Sequence, residues 1–198
     1  MTKPSSSNNS ASSPQNPWIE VVQTVGTAAI LAFGIRTFAA EARYIPSESM
    51  LPTLEVNDRL IIEKISYRFR DPQRGDVVVF SPTDQLRAEG YRDAFIKRII
   101  GMPGETVRVE GGTVFVNDQP LREKYIEEAP GYRYGPAVVP EDSYLVLGDN
   151  RNNSYDSHEW GFVPRENLIG RAMVLFWPLT RVGPFERPDY SSLPPAAD

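Results

Sequence analysis

Two serines, Ser47 and Ser49, lie in a short segment bracketed by Pro46 and Pro52. Proline restricts its own backbone and that of the preceding residue, so these hydroxyls should occupy fixed positions on a rigid loop. A serine hydroxyl held in this way can act as a nucleophile if a base accepts its proton. The spacing is also typical of ordinary turns, and the G-x-S-x-G pattern of an α/β-hydrolase is missing. The segment alone leaves both interpretations open.

A lysine that could serve as the base stands in an apolar run, Ala94 to Ile100. Strand alternation places Phe95, Lys97 and Ile99 on one face, among hydrophobic neighbours. Burial disfavours the charged amine, so a lysine there can be neutral near pH 7 and accept a proton. The alternative is a lysine whose amine reaches solvent or a carboxylate from a strand position. The strand by itself does not decide between them.

A third segment, Leu147 to Pro164, is rich in Gly, Asn, Asp and Ser. Such side chains satisfy backbone groups in successive tight turns and hold neighbouring atoms in place. A calcium loop is a competing interpretation, but Arg151 occupies the second ligand position and no central glycine follows. We therefore predict no metal site here.

The composition excludes several classes of protein. The chain has 198 residues, no Cys, one His and a formal net charge of -5. Without Cys there is no disulfide scaffold and no Cys-ligated zinc or iron-sulfur centre, and one His rules out a His-rich metal site. The acidic balance gives no basic excess for a nucleic-acid backbone. A Ser-His-Asp triad would have to use His158.

The elements that must position these residues are short and β-branched. Glu110-Gly111-Gly112 between two of the runs predicts a hairpin turn. Because no long helical period separates the runs, we expect a mainly β barrel or sandwich. The predicted strands are Asp58 to Glu63, Asp76 to Phe80, Ala94 to Ile100, Thr106 to Val109, Thr113 to Val116, Tyr144 to Leu147 and Ala172 to Trp177.

The flanks of this β-rich region, 43–180, differ in composition. Residues 1–17 are mostly Ser, Asn and Pro and are predicted to be disordered, and the Pro-rich residues 181–198 are predicted to be a flexible tail. Residues 18–42 are apolar and are predicted to form one membrane anchor helix. Alternatives are a buried core helix, a surface amphipathic helix or a cleaved signal peptide, for which Ala40-Glu41-Ala42 offers an A-x-A site.

The charges around this segment say little about orientation. Lys3 precedes its uncharged stretch, Val21 to Ile35, and Arg36 and Arg43 follow that stretch, a count that taken literally would place the β-rich region in the cytoplasm. Long domains, however, translocate largely regardless of such counts.

Taken together, and in this order, the segments resemble type I signal peptidases, the membrane-bound serine/lysine endopeptidases that remove signal peptides from exported proteins. The segments that carry the resemblance are IPSESMLPTL, RGDVVVF, FIKRIIGMPGE and GDNRNNSYDSHEWGFVP. Four ordered motifs behind an apolar segment are far more specific than any one of them.

The resemblance implies a role for each residue at a matching position. Ser49 matches the nucleophile and Lys97 the general base. Ser47 matches a hydroxyl that joins the Ser49 backbone N–H in an oxyanion hole, and Ser154 matches the hydroxyl that orients the lysine amine. Asp156 matches a structural acid.

Two positions depart from the family pattern. The family usually has an Arg two residues after the structural acid, where this chain has His158, so the ion pair is expected to weaken or titrate. Glu48 stands between the two serines where a smaller residue is common.

The resemblance also implies the substrate and its surroundings. It implies cleavage after small side chains at the first and third positions before the cut, with Ile45, Met50, Leu54 and Ile96 as candidate pocket residues. It implies no cofactor. Expected partners are preprotein signal peptides and the lipid bilayer, with the translocation machinery as a candidate. The catalytic domain is expected on the extracytoplasmic side.

Three other functions compete. A self-cleaving repressor would need a DNA-binding module, for which the chain lacks both the basic charge and an N-terminal helical domain. A catalytically dead, membrane-anchored binding module would differ by its lack of cleavage. A hydrolase built on Asp156 and His158 is disfavoured, because neighbours two residues apart in one loop are poorly placed as a base and its orienter.

Overall fold

The fold is given by a computed structural model, which describes residues 17–34 and 39–190. The chain divides into two units, Met1–Thr37 and Phe38–Asp198. The described part of the first unit is helix α1, Pro17–Gly34, none of whose residues is buried. Proline suits the first position of a helix, where its missing N–H has no partner to lose. By length and composition α1 can cross a membrane.

The boundaries of α1 differ from those of the predicted anchor segment, which runs to residue 42. Ala40–Tyr44 forms the first strand, β1, because it pairs with a strand of the second unit. The predicted disordered segment falls on residues 1–16, which lie outside the described residues, and on Pro17, which begins α1.

The described part of the second unit is mainly β, as predicted. Its strands are β1 (Ala40–Tyr44), β2 (Arg59–Glu63), β3 (Val77–Phe80), β4 (Phe95–Gly101), β5 (Thr106–Glu110), β6 (Thr113–Val116), β7 (Gln119–Pro120), β8 (Tyr134–Val138), β9 (Ser143–Leu147), β10 (Val163–Pro164), β11 (Leu168–Trp177) and β12 (Gly183–Pro184). Two short helices accompany them, α2 (Asp84–Ala88) and α3 (Ser157–Trp160).

The strands form two antiparallel sheets. The larger runs in the order β1-β2-β11-β3-β4-β9-β10, with β12 added to β11, and the smaller in the order β7-β6-β5-β8. The predicted hairpin joins β5 to β6 through Gly111 and Gly112, both with positive φ, as a two-residue turn of this hand requires. All seven predicted strands are confirmed, and the other five, β1, β7, β8, β10 and β12, were not predicted.

The core of the second unit consists of three hydrophobic clusters, and β4 contributes to each of them. Ile96 packs against the first, Ile100 belongs to the second and Ile99 to the third. A central strand with apolar side chains on both faces is the environment that the sequence predicts for Lys97. This strand therefore carries the lysine into the interior of the sheet.

The Pro-rich end of the chain is only partly described. Phe185 packs on the first hydrophobic cluster, Tyr190 packs on the second, and Arg187 Nε lies 3.0 Å from Asp76 Oδ1. Residues 181–190 thus lie against the β domain, because their aromatic side chains bury apolar surface. The rest of the predicted tail, 191–198, lies outside the described residues.

Candidate active site

The central pair of the site is Ser49 and Lys97. Lys97 Nζ lies 2.8 Å from Ser49 Oγ, in hydrogen-bond contact, and 3.0 Å from the carbonyl oxygen of Ile96. Ser49 comes from the loop between β1 and β2, and Lys97 from the middle of β4. The Ile96 carbonyl accepts one N–H of the amine, which leaves a neutral Lys97 with its lone pair free for the Ser49 proton. The pair is thus arranged for proton transfer.

Burial gives Lys97 the properties of a base. Its side chain is 4% exposed, and removal from water lowers the pKa of the amine from 10.5 to about 8. The carboxylates of Asp156 and Asp149 act in the opposite direction, because negative charge favours the ammonium form. Desolvation outweighs them, so a substantial fraction of Lys97 is neutral near pH 8.

Both serines of the loop line one cleft. Ser47 Oγ lies 3.4 Å from Ser49 Oγ, and Ser47 is exposed to the cleft while Ser49 is buried at its base. The cleft has a volume of about 710 Å³. Ala94, Phe95 and Ile96 line it together with Tyr91 and Tyr155, two aromatic residues that the sequence analysis did not single out. A peptide could therefore lie against β4 and reach Ser49.

Glycine at position 148 allows the β9 end to approach the nucleophile loop. A Cβ placed there would lie 2.2 Å from Ser154 Oγ and 2.4 Å from the carbonyl oxygen of Ser49. Both distances are far below van der Waals contact, so only glycine fits. In the contact that results, the Asn150 N–H donates to the Ser49 carbonyl at 3.1 Å. The sequence signal was a glycine directly after a buried strand.

Ser154 is close to the site but does not hold the lysine. Its Oγ is buried and forms no hydrogen bond within the described part of the chain. The orienting contact to Lys97 that the resemblance implies is therefore not formed here. The amine is oriented by Ser49 and the Ile96 carbonyl instead.

Asp156 and His158 form a hydrogen-bonded pair. His158 Nδ1 lies 2.7 Å from Asp156 Oδ1, and Asp156 Oδ2 accepts the Gly148 N–H at 2.8 Å. This corrects the argument that neighbours two residues apart are poorly placed as a base and its orienter. Asp156 caps α3, and the cap turns its carboxylate back onto the first turn, against His158. No serine hydroxyl bonds to His158 within the described residues, so a Ser-His-Asp triad is not assembled.

The unusual Glu48 links two loops. Its carbonyl oxygen accepts the Asn150 Nδ2–H at 3.1 Å, and its carboxylate accepts from Asn153 Nδ2 at 3.4 Å. Glu48 thereby ties the nucleophile loop to the segment after β9. Only the contact to Asn153 involves the Glu48 side chain, since the other is made by its backbone.

An ion pair that the sequence analysis missed joins the segment after β9 to β4. Arg98 donates to both oxygens of Asp149, from Nε at 2.8 Å and from Nη2 at 2.6 Å, and both side chains are buried. Arg98 follows Lys97 on β4 and points to the opposite face. The available signal was a second cation on a strand that is otherwise apolar.

The candidate pocket residues divide into two groups. Ile96 lines the cleft. Ile45, Met50 and Leu54 are instead buried in the first hydrophobic cluster and are not among the residues that line the cleft. Apolar side chains of a short loop turn inward to leave water, so the motif alone could not separate core residues from pocket residues.

Comparisons with known proteins point to one family. The family model described as "Signal peptidase, peptidase S26" matches residues 18–177. A protein of Synechocystis sp. named "Probable signal peptidase I-2" is 68% identical over 172 residues, which are 87% of this chain and 79% of the relative. A signal peptidase I of Leptolyngbya laminosa is 63% identical over 177 residues, 87% of each chain.

One solved structure is also similar. The crystal structure of a signal peptidase I from Enterococcus faecalis is 32% identical in sequence, with a TM-score of 0.44. The match covers 52% of this chain and 97% of the other.

Proposed function

The chain belongs to the signal peptidase family, peptidase S26, and from that premise we propose that Ser49 and Lys97 form the catalytic dyad with which it removes signal peptides from preproteins. The observation that carries this assignment is the 2.8 Å contact between Ser49 Oγ and a lysine amine that is almost fully buried. No other lysine amine in the described part of the chain contacts a serine hydroxyl.

The reaction begins with proton transfer. Neutral Lys97 accepts the Ser49 proton, and the serine oxygen attacks the carbonyl carbon of the scissile bond. The oxyanion that forms is stabilised by the Ser49 backbone N–H and the Ser47 hydroxyl, and removal of one such donor typically costs about 3–4 kcal/mol of transition-state stabilisation. Lys97 then gives its proton to the departing amine, and an ester to Ser49 remains.

The second half of the reaction uses the same groups. Lys97, neutral again, accepts a proton from water, and the water oxygen attacks the ester carbonyl. The bond to Ser49 Oγ then breaks, the Lys97 ammonium returns the proton to the serine oxygen, and the signal peptide leaves as a carboxylic acid. These steps are written with side-chain and backbone groups of this chain, the peptide and water. The rate should therefore rise with pH as Lys97 loses its proton.

The substrate class follows from the family and the cleft. We place the residues before the cut along β4, where Ile96 and Phe95 supply apolar walls beside Ser49. Small side chains at the first and third positions would fit between such walls, and larger ones would be rejected by steric overlap.

The apolar helix supports attachment to a bilayer. We place α1 across the membrane and the unit from Phe38 onward on the extracytoplasmic side, where exported preproteins emerge. An exposed helix of 18 residues, about 27 Å long, is close to the roughly 30 Å thickness of the hydrocarbon core. Sharing a membrane with the substrate raises the effective concentration of both, and contact with the translocation machinery would act in the same way.

Cleavage of a preprotein tests the dyad. Ser49→Ala and Lys97→Ala should each lose at least about 100-fold in kcat/KM, because each removes one half of the proton-transfer pair. Lys124→Ala, which removes an exposed lysine, should cleave at the original rate. The measurement is cleavage in detergent with the cut site read by mass spectrometry. Activity of the Ser49→Ala variant near that of the unchanged protein would refute the assignment.

A further inference from the structure

His158 occupies an environment that favours its charged form. Its Nδ1 faces Asp156 Oδ1 at 2.7 Å and its Nε2 faces Glu159 Oε1 at 3.3 Å. A neutral imidazole has one donor and one acceptor nitrogen, so only the imidazolium can donate to both carboxylates. Burial lowers the pKa of His158, but the hydrogen bonds and charges of Asp156 and Glu159 outweigh it and raise the pKa above 6.5.

The remaining neighbours of His158 do not compensate its charge. The Tyr132 ring stacks on the imidazole with centroids 4.1 Å apart, and burial raises the pKa of its hydroxyl, which keeps it neutral. Besides Asp156 and Glu159, the charged groups that act on Tyr132 are Arg151 and Glu123, which pair with each other at 2.6 Å. The charge of His158 therefore acts mainly on Asp156 and Glu159.

Asp156 connects this histidine to the active site. The carboxylate is fully buried, and it acts on Lys97 by favouring the ammonium form. It also holds the Gly148 N–H, at the point where the β9 end contacts Ser49. A cation on His158 reduces the negative charge that Lys97 experiences.

We propose that His158 is a positioning residue for the reaction. Its imidazolium charge offsets the negative charge of the Asp156 carboxylate and so favours the neutral form of Lys97, which accepts the Ser49 proton. Loss of the His158 proton as the pH rises removes this compensation and raises the pH at which Lys97 gives up its own proton. The two titrations oppose each other, so activity should rise more gradually with pH. This inference rests on the proposed Ser49–Lys97 mechanism.

The pH dependence of kcat/KM tests the proposal. His158→Arg carries a permanent cation and His158→Gln keeps a donor without charge. The midpoint of the rising limb should lie at least roughly half a pH unit lower in His158→Arg than in His158→Gln, with the unchanged protein between them. At pH 7 this is about a threefold difference in kcat/KM. Coinciding midpoints in folded, active variants would overturn the proposal.

The inference and the mechanism can fail separately. Ser49→Ala and Lys97→Ala, measured beside the histidine variants, report on the mechanism alone. If either cleaves at the original rate, the dyad is wrong and the histidine proposal falls with it. If both are inactive and the histidine variants share one midpoint, only the histidine proposal is wrong.

A second measurement needs no His158 variant. The chain has one histidine, so an imidazole NMR signal from untagged protein belongs to His158. Coupling is reciprocal, so removing the Lys97 cation should raise the His158 midpoint by the amount that His158 lowers that of Lys97. We expect a midpoint higher by roughly half a pH unit in Lys97→Met than in the unchanged protein. An equal midpoint in the two proteins would contradict the coupling.

Discussion

At the scale of the residue, reactivity and stability of the fold are in conflict at Lys97. Burial lowers the pKa of its amine to about 8, whereas the unfolded chain has the ordinary value of 10.5. The unfolded state therefore binds the proton more tightly, and the free energy of unfolding rises with pH between about 8 and 10.5. Below pH 8 burial of the lysine lowers the free energy of unfolding by about 3 kcal/mol, relative to a lysine whose pKa is the same in the folded and unfolded states.

Replacing the lysine by an apolar side chain of similar length should therefore stabilise the protein. Lys97→Met should be inactive yet more stable than the unchanged protein at pH 7, by about 1–3 kcal/mol after loss of the Ser49 contact. The gain should shrink as the pH rises above 8. Urea denaturation at pH 7 and pH 9.5 measures it, with the exposed Lys124→Met as control. A Lys97→Met variant that is less stable at both pH values would show that burial of this lysine does not destabilise the fold.

Residue types, spacing and the family resemblance together were enough to single out Ser49 and Lys97, which the structure places in contact, but not to predict their surroundings. A lysine on an apolar strand and a serine between prolines are visible in the sequence, and the resemblance pairs them. The Asp156–His158 contact was not predictable, because it depends on the capping turn of α3. The position of the Ser154 hydroxyl likewise depends on how closely two loops approach.

At the scale of the element, the site is a junction between the nucleophile loop, β4 and the segment after β9. Contacts of Glu48 and Gly148 join the nucleophile loop to the segment after β9. The ion pair of Arg98 with Asp149 joins that segment to β4. A buried, bidentate pair such as Arg98–Asp149 is strongly destabilising to break, because one charge is left without a partner. These contacts fix the distance between Ser49 and Lys97.

A methyl group at position 148 should disrupt this junction. Gly148→Ala would place Cβ against Ser154 Oγ and the Ser49 carbonyl, and one of the two loops must move. Overpacking of this kind costs about 1–3 kcal/mol, and a 1 Å displacement of the nucleophile can cost about 100-fold in rate. Thermal melts and kcat/KM measure the two effects.

A matched glycine provides the control for this prediction. Gly183 has no atom within 4 Å of its Cβ position, so Gly183→Ala should change neither quantity noticeably. If Gly148→Ala were as active and as stable as Gly183→Ala, close contact at this junction would not be needed for catalysis.

Most elements were predictable because their signals are local. The Gly-Gly turn and the β-branched runs each point to one conformation. Strand β1 was missed because its first three residues, Ala40–Ala42, adjoin an apolar segment and were assigned to the helix. Its strand character comes from pairing with β2, a long-range contact that composition does not reveal.

At the scale of the whole molecule, the two units separate between residues 37 and 38. The mainly β class of the second unit follows from its run of short strands and was predicted correctly. The side of the membrane on which it lies was not predictable from charge. The positive charges near the helix are Lys3, Arg36 and Arg43, and the translocation of a long domain depends little on such charges. That placement remains a proposal.

Truncation tests the division of the chain. A chain that begins at Ala39 keeps β1 and should be soluble, folded and slowly active on peptides. One that begins at Arg43 loses the pairing of Ala40–Ala42 with β2 and should melt at a lower temperature.

The full-length chain tests the membrane placement. It should resist alkaline carbonate extraction from membranes, and protease added on the extracytoplasmic side should cut its β unit. Full protection from that protease would refute the proposed orientation.

The most direct test of the account is to trap the ester on Ser49. Rapid acid quenching of the protein mixed with a preprotein, followed by peptide mapping, should find the signal peptide attached to Ser49. The adduct should form at least about 100-fold more slowly in Lys97→Ala and at the original rate in Lys124→Ala. An adduct on Ser47, Ser154 or another side chain, or undiminished formation in Lys97→Ala, would contradict the proposed mechanism.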